Sequence, residues 1–305
     1  MDYKLEFQFK PYQNHFKQSL RTSHGKWQIR EGIIISLTNS QGIVGRGEIA
    51  PLPWFGSETM AQATEFCQQL ENTVSQQEIM AIKDCLPCCQ FAFESAYLAL
   101  TQEIQTNPLN LDFCYLLPAG EKVLSTWQDL YKNNAATTFK WKIGVLPFAS
   151  EIQILKQLAR SLPSEVNLRL DANGGLNLSQ ARQLLSVTDS LEAIEFIEQP
   201  LAQDRLAEIL QLSKEYNTLL ALDESVASFK QLQQAYQQGW QGVYVIKAAI
   251  MGYPSRLIRF CRDNKLDAVF SSVFETKIGR ETVLNMTQQL AHPRALGFGV
   301  EHLYR

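Results

Sequence analysis

The spacing of apolar positions changes character twice along this chain. Up to about residue 50 it alternates, as in "MDYKLEFQFKPY", and the two apolar runs of "GIIISLTNSQGIVGRGEIA" flank "NSQG". Period-two alternation bounded by turn-forming residues predicts strands. A Pro/Gly-rich loop, "PLPWFGSET", follows, and residues 58–105 then read as helices with a break at "DCLP". Strands followed by helices predict a small α+β domain.

From about residue 110, short apolar runs alternate with amphipathic stretches. The predicted strands are "LDFCYLL", "TFKWKIG", "VNLRLDANG", "AIEFIEQP", "LLALDES", "GVYVIKAAIMG", "DAVFSSVFET" and "ALGFGVEHL". Between them, "ASEIQILKQLARSL" reads as a helix opened by a capping box of Ser150 and Gln153. "SFKQLQQAYQQG" carries Phe229, Leu232 and Tyr236 on one face and stops at Gly239. Eight strands with crossover helices predict a closed parallel barrel. The alternative is an open doubly wound sheet, but no Gly-rich fingerprint follows any strand, which counts against dinucleotide binding.

Composition narrows the function classes. The 305 residues carry 28 basic and 31 acidic side chains, for a net charge of −3. No basic run or helix face stands out, so nucleic acid is not an expected partner. No apolar run is long enough to span a membrane, and the N-terminus lacks a signal-peptide core, so a cytoplasmic location is expected. "CLPCC" (Cys85, Cys88, Cys89) invites a zinc reading, but no second cysteine pair follows at zinc-site spacing. Small buried thiols at a helix start are the simpler reading.

The polar residues at the strand ends change the picture. Lys142, Asp171, Glu198, Asp223 and Lys247 end five consecutive predicted strands, with gaps of 29, 27, 25 and 24 residues. Each gap is one strand-plus-helix unit, so all five fall at the same end of the sheet. Three crowded carboxylates need a cation, and an all-oxygen set suits a hard divalent ion, above all Mg²⁺. Lys140 and Lys142 share a face of their strand, and burying two ammonium groups there needs compensation by negative charge. Lysines on both sides of a metal suit removal of a proton α to a carboxylate, where an enediolate must be stabilised. Taken singly, each carboxylate also reads as a helix N-cap.

The motifs "FKWKIG", "LRLDAN", "FIEQP", "LDES", "VIKAAIMGY" and "FSSVFETKIGRETVLNMTQQLA" resemble the enolase superfamily, in its lysine–lysine, muconate lactonizing enzyme-like subgroup. The resemblance covers nearly the whole chain. It implies an α+β capping domain over residues 1–108 and a modified TIM barrel of (β/α)7β type over 109–305, its C-terminal end reaching back to the cap. It further implies Mg²⁺, with Mn²⁺ able to substitute, on Asp171, Glu198 and Asp223, and a small-molecule carboxylate substrate. Lys142 would be the acid/base, serving a syn dehydration in menaquinone or phylloquinone biosynthesis. Lys247 would stabilise the enediolate from the opposite face, through its charge and a cation–π contact with the substrate ring. Lys140 would support the substrate carboxylate, and Trp54 and Phe55 would belong to a loop closing over the site; an ordinary surface loop is the alternative. Dipeptide epimerases and N-acylamino acid racemases share this machinery. The Asp-x-Asp that dipeptide epimerases usually carry near strand eight is missing from "ALGFGVEHLYR". A muconate cycloisomerase and a barrel that binds metal without catalysis are more distant readings. No histidine lies between residues 25 and 291, which argues against a histidine-based relative.

Further substrate contacts are expected at Asn173, Arg169, Ser271, Ser272 and Gly297. Asn173 also fits a turn with Gly174, Arg169 a buried partner of the carboxylates, and Gly297 a bulge. Alternation allows only one of Ser271 and Ser272 to face inward. Glu224 is expected to point away from the site, and Glu275 to cap the next helix. The oligomeric state, monomer or dimer, is open.

Overall fold

The computed structural model describes residues 4–22, 25–101, 111–134, 136–290 and 294–300. Among these, an antiparallel sheet is built from β1 (Leu5–Thr22), β2 (Gly25–Thr38), β3 (Val44–Ile49) and β4 (Thr73–Val74), in the order β3-β2-β1-β4. The β2–β3 turn is the one predicted at "NSQG". Gly42 takes φ 78, its N–H donates to Asn39 O at 2.9 Å, and Asn39 Oδ1 accepts from the N–H groups of Gln41 and Ile43. A left-handed corner of this kind favours glycine.

Helices α1 (Met60–Gln69), α2 (Gln76–Met80) and α3 (Pro87–Thr101) complete this part of the chain. α3 lies directly on β3: a Cβ at Gly45 would stand 2.0 Å from Ala96 O, and one at Gly47 would stand 1.9 Å from Ala92 O. The alternating glycines of "VGRGEI" therefore let a helix backbone touch a strand. Cys88 and Cys89 are buried in α3, Cys85 is exposed, and all six cysteines are free.

The second sheet is parallel and runs β11-β10-β9-β8-β7-β6-β5-β12. Its strands and helices alternate: β5 (Phe113–Leu117), α4 (Val123–Asn134), β6 (Thr138–Lys142), α5 (Phe148–Ser161), β7 (Asn167–Asp171), α6 (Leu178–Thr188), β8 (Ile194–Glu198), α7 (Leu206–Glu215), β9 (Leu220–Leu222), α8 (Phe229–Gln237), β10 (Val243–Ile246), α9 (Pro254–Asp263), β11 (Ala268–Phe270), α10 (Lys277–Thr287) and β12 (Leu296–Gly299). A parallel bridge between Ser271 and Gly297 brings the two edges together. The result is a (β/α)7β barrel, closed by right-handed crossovers that each bury one helix stripe on the sheet. The proposed boundary at 108/109 and the C-terminal reach toward the cap lie outside the described residues.

The cap grips the barrel through helix ends. Glu94 of α3 accepts from Ser255 N (2.9 Å) and Ser255 Oγ (2.6 Å) at the start of α9. Tyr253 Oη donates to the carbonyls of Ile79 and Ile82. One expectation fails: α5 has Pro147 at its N-cap and no side-chain cap, so Ser150 and Gln153 form no capping box. Glu151 turns back instead and accepts from the N–H groups of Gly144, Val145 and Leu146. A carboxylate at the first turn competes well for such donors. No described helix is long and apolar enough to cross a membrane.

Candidate active site

The C-terminal ends of the barrel strands border a cavity of about 270 Å³, roofed by the cap. Phe139 and Trp141 of β6 are fully buried on its outer face. Lys140 and Lys142 therefore point into the barrel, as strand alternation requires. Lys142 is in register with Asp171, and Asp171 with Glu198. Asp223 and Lys247 follow the last residues of β9 and β10 and border the same cavity. β6 and β10 stand four positions apart in a barrel of eight, so Lys142 and Lys247 approach from opposite sides. The three carboxylates come from the strand ends between them.

The electrostatics are those of a crowded acidic cluster. Asp171, Glu198 and Asp223 are 6%, 2% and 4% exposed. Lys140 Nζ lies 3.1 Å from Asp171 Oδ2 and 3.0 Å from Glu198 Oε1, and Lys247 Nζ donates to Asp223 Oδ1. Burial opposes the charge of Lys140, yet Asp171 and Glu198 hold its pKa above the ordinary value. Burial pulls Lys247 down to about 7, against the opposing charge of Glu198. Burial also works against the Asp171 carboxylate, but Lys140 and Lys142 outweigh it and keep its pKa low. Glu198 is raised by burial and by the charge of Asp171. Negative charge is thus in excess at the strand ends.

Among the described residues no three ligating groups already converge on one point. Lys140 lies between Asp171 and Glu198 instead, and Lys247 lies against Asp223. The donor set is all oxygen and fits a hard divalent ion.

The roof is aromatic. Pro53–Phe55 form a single helical turn closed by Gly56 at φ 87. Phe55 lies over Lys247, with Nζ 4.3 Å from the ring centroid. Trp54 packs edge-on against Trp27 at 5.1 Å, and Trp27 against Phe274 at 5.3 Å. This loop is anchored: Ser57 Oγ accepts from Leu52 N, and buried Glu58 accepts from Cys88 N and Cys89 N at the start of α3. Trp27 and Phe274 border the cavity and carry no local sequence signal for doing so.

Several expected roles change. Arg169 borders the cavity, with all its guanidinium nitrogens engaged by Glu195 and Ala295 O and the group lying over Phe196. Glu224 borders the cavity instead of turning away, because the strand has ended and a helical turn, Glu224–Val226, begins there. Its carboxyl accepts from Asn173 Nδ2 at 3.1 Å and is pushed up to about 7 by burial and by Asp171 and Glu198. Asn173 itself sits at φ 43, in a turn with Gly174, and its N–H donates to Asp171 Oδ1. Ser271 and Ser272 both border the cavity, since β11 stops at Phe270 and alternation ends with it. Gly297 makes room for Ser271: a Cβ there would stand 2.7 Å from Ser271 Oγ. Glu275 turns back to accept from Ser272 Oγ (3.0 Å) and Val273 N (2.6 Å), while Thr276 caps α10.

Fold and site define the class, an enolase-superfamily barrel with a lysine–lysine site. The family model "Enolase C-terminal domain-like" matches residues 122–301, and "MenC, N-terminal domain" matches residues 9–100. The chain belongs to the o-succinylbenzoate synthase family, lyases of that superfamily. It is 36% identical to the o-succinylbenzoate synthase of Thermosynechococcus vestitus, over 97% of this chain and 93% of that one. The crystal structure of o-succinylbenzoate synthase from Thermosynechococcus elongatus, complexed with Mg in the active site, superposes with a TM-score of 0.93 at 36% identity, covering 99% of this chain and 95% of that one. A dipeptide epimerase from Enterococcus faecalis shares the fold at 19% identity, with a TM-score of 0.84 over 99% and 92% of the two chains.

Proposed function

We propose that this protein dehydrates 2-succinyl-6-hydroxy-2,4-cyclohexadiene-1-carboxylate to 2-succinylbenzoate, with Mg²⁺ on Asp171, Glu198 and Asp223. The observation that carries this reading is the pair of lysines on opposite sides of a buried carboxylate cluster, in a chain of this family. When bound, Mg²⁺ supplies positive charge against the substrate carboxylate as its electron density rises. Lys142 takes the proton from the carbon α to that carboxylate, and the C–H electrons move into the carboxylate to form an enediolate. Those electrons then return to the ring and expel the neighbouring hydroxyl group. In a syn elimination the hydroxyl leaves from the same face, so Lys142 returns its proton to it and water departs. The ring becomes aromatic, and Lys142 ends in its starting state.

Lys247, in its protonated form, meets the enediolate from the other face with positive charge. Lys140, paired with Asp171 and Glu198, favours their charged forms and holds them inward. Trp54 and Phe55 exclude water above the ring. Ser271, which Gly297 accommodates at the cavity wall, suits the succinyl arm, which needs a hydrogen-bond donor.

The test is an absorbance assay of purified protein with this diene and Mg²⁺, with EDTA as control. Metal-dependent loss of the diene with formation of 2-succinylbenzoate is the expected result. Well-folded, metal-loaded protein without turnover would reject the substrate, and α-proton exchange of dipeptides or N-acylamino acids in D₂O would then be measured.

A further inference from the structure

The segment Ser271–Thr276 joins β11 to α10 and forms one wall of the cavity through Ser271, Ser272 and Phe274. It is held in an uncommon shape. Phe274 has φ 62, a left-handed conformation that bulky residues rarely adopt and that persists only where its surroundings enforce it. At its start the segment is fixed by the barrel: Ser271 N donates to Ile246 O at 2.8 Å and Ser272 N to Gly297 O at 3.0 Å. Within it, Ser272 Oγ accepts from Phe274 N at 2.8 Å and donates to Glu275.

Its far end is held by the other domain. Glu48 of β3 is fully buried and accepts from Thr276 N at 2.8 and 2.9 Å, from Thr276 Oγ1, and from Gly279 N at 2.9 Å. Tyr12 Oη donates to the same carboxylate. Gly279 leaves the space, since a Cβ there would stand 2.9 Å from Glu48 Oε2. A buried carboxylate is tolerated where donors surround it, and a helix N-terminus adds favourable dipole charge. β3 is itself fixed by α3, which rests on Gly45 and Gly47.

We infer that Glu48 is a positioning residue for substrate binding: from the cap, it holds the start of α10 so that Ser271, Ser272 and left-handed Phe274 face the cavity. The inference rests on the proposed function and concerns which group sets the wall of that site. The wall carries none of the proton-transfer groups, so loosening it weakens ground-state and transition-state binding alike, raising KM and sparing kcat.

The experiment is a double-mutant cycle of Glu48→Gln and Ser271→Ala. It reads KM, kcat and the Kd of 2-succinylbenzoate with Mg²⁺, the last from tryptophan fluorescence, since Trp27 and Trp54 border the cavity. Glu48→Gln is expected to raise KM and Kd about tenfold with kcat within about threefold, and to combine with Ser271→Ala less than additively. A general loss of stability would combine additively, and that outcome, or an unchanged KM, overturns the inference. If Glu48→Gln does not unfold cooperatively, Thr276→Val replaces it. That variant is expected to raise KM several-fold with kcat retained, and an unchanged KM again overturns the inference. A wild-type protein that neither turns over nor binds overturns the proposed function, and this inference with it; unaffected or additive variants of an active wild type overturn the inference alone.

Discussion

Lys142 and Lys247 are the same residue type at the same barrel mouth, yet their surroundings differ. Lys247 is buried under Phe55 and held against Asp223, a setting that fixes its position across the cavity from Lys142. Lys142 is half-buried and faces the cavity, a setting suited to a group that gives and takes a proton. Lys142→Ala is therefore expected to lower kcat by about 10²- to 10⁴-fold, the size of a lost general acid/base, with little change in product affinity; near-wild-type turnover in steady-state assays would reject the role. Glu275 gives a second prediction, on stability. Burial, with Glu48 nearby, pushes its carboxyl from 4.5 up to about 7. The folded state thus holds a proton that the unfolded chain has already lost. The associated stability is complete below about pH 4.5 and falls away as pH rises to about 7. Glu275→Gln, which cannot ionise, is expected to flatten that decline, by roughly 3 kcal/mol at most. Urea unfolding from pH 4.5 to 8 measures it, and parallel pH profiles for the two proteins would refute it.

At the level of elements, the sequence was most informative where periodicity and turn chemistry agree. All eight barrel strands lie within the predicted runs, because each is a short apolar run like "FKWKIG" and a helical stripe separates it from the next. The in-register lysine and carboxylates follow from the alternation of strand side chains. Prediction failed where a strand stops: Glu224, Ser271 and Ser272 lie just past strand ends, where a period of two no longer says which way a side chain turns. The capping box at Ser150 failed because Glu151 found three free N–H groups upstream. The spacing "VGRG" signalled a strand but gave no sign that a helix would rest on it. Gly47→Ala is expected to destabilise the protein by about 1–3 kcal/mol, since the new methyl meets a backbone carbonyl that cannot yield. Thermal unfolding checks this, and a Tm equal to wild type would count against direct helix-on-strand contact.

For the molecule as a whole, the site is shared between two domains, and this is what local patterns carry least. Arg169 finds Ala295 O at the far end of the barrel sequence, and Phe274 meets Trp27 from the cap hairpin. Neither partner is written near the residue that uses it. The barrel is also unevenly hooped. β6 and β7 pair over the whole of both strands, whereas β12 meets β5 at Leu296 and Gly299 around an irregularity, and meets β11 at a single bridge. The last strand is therefore expected to open more readily than β7, carrying Gly297 with it. In hydrogen–deuterium exchange the amides of β12 should become labelled well before those of β7, and equal protection would contradict this. Such breathing would give a newly formed aromatic product a way out that leaves the carboxylates and lysines undisturbed for the next turnover.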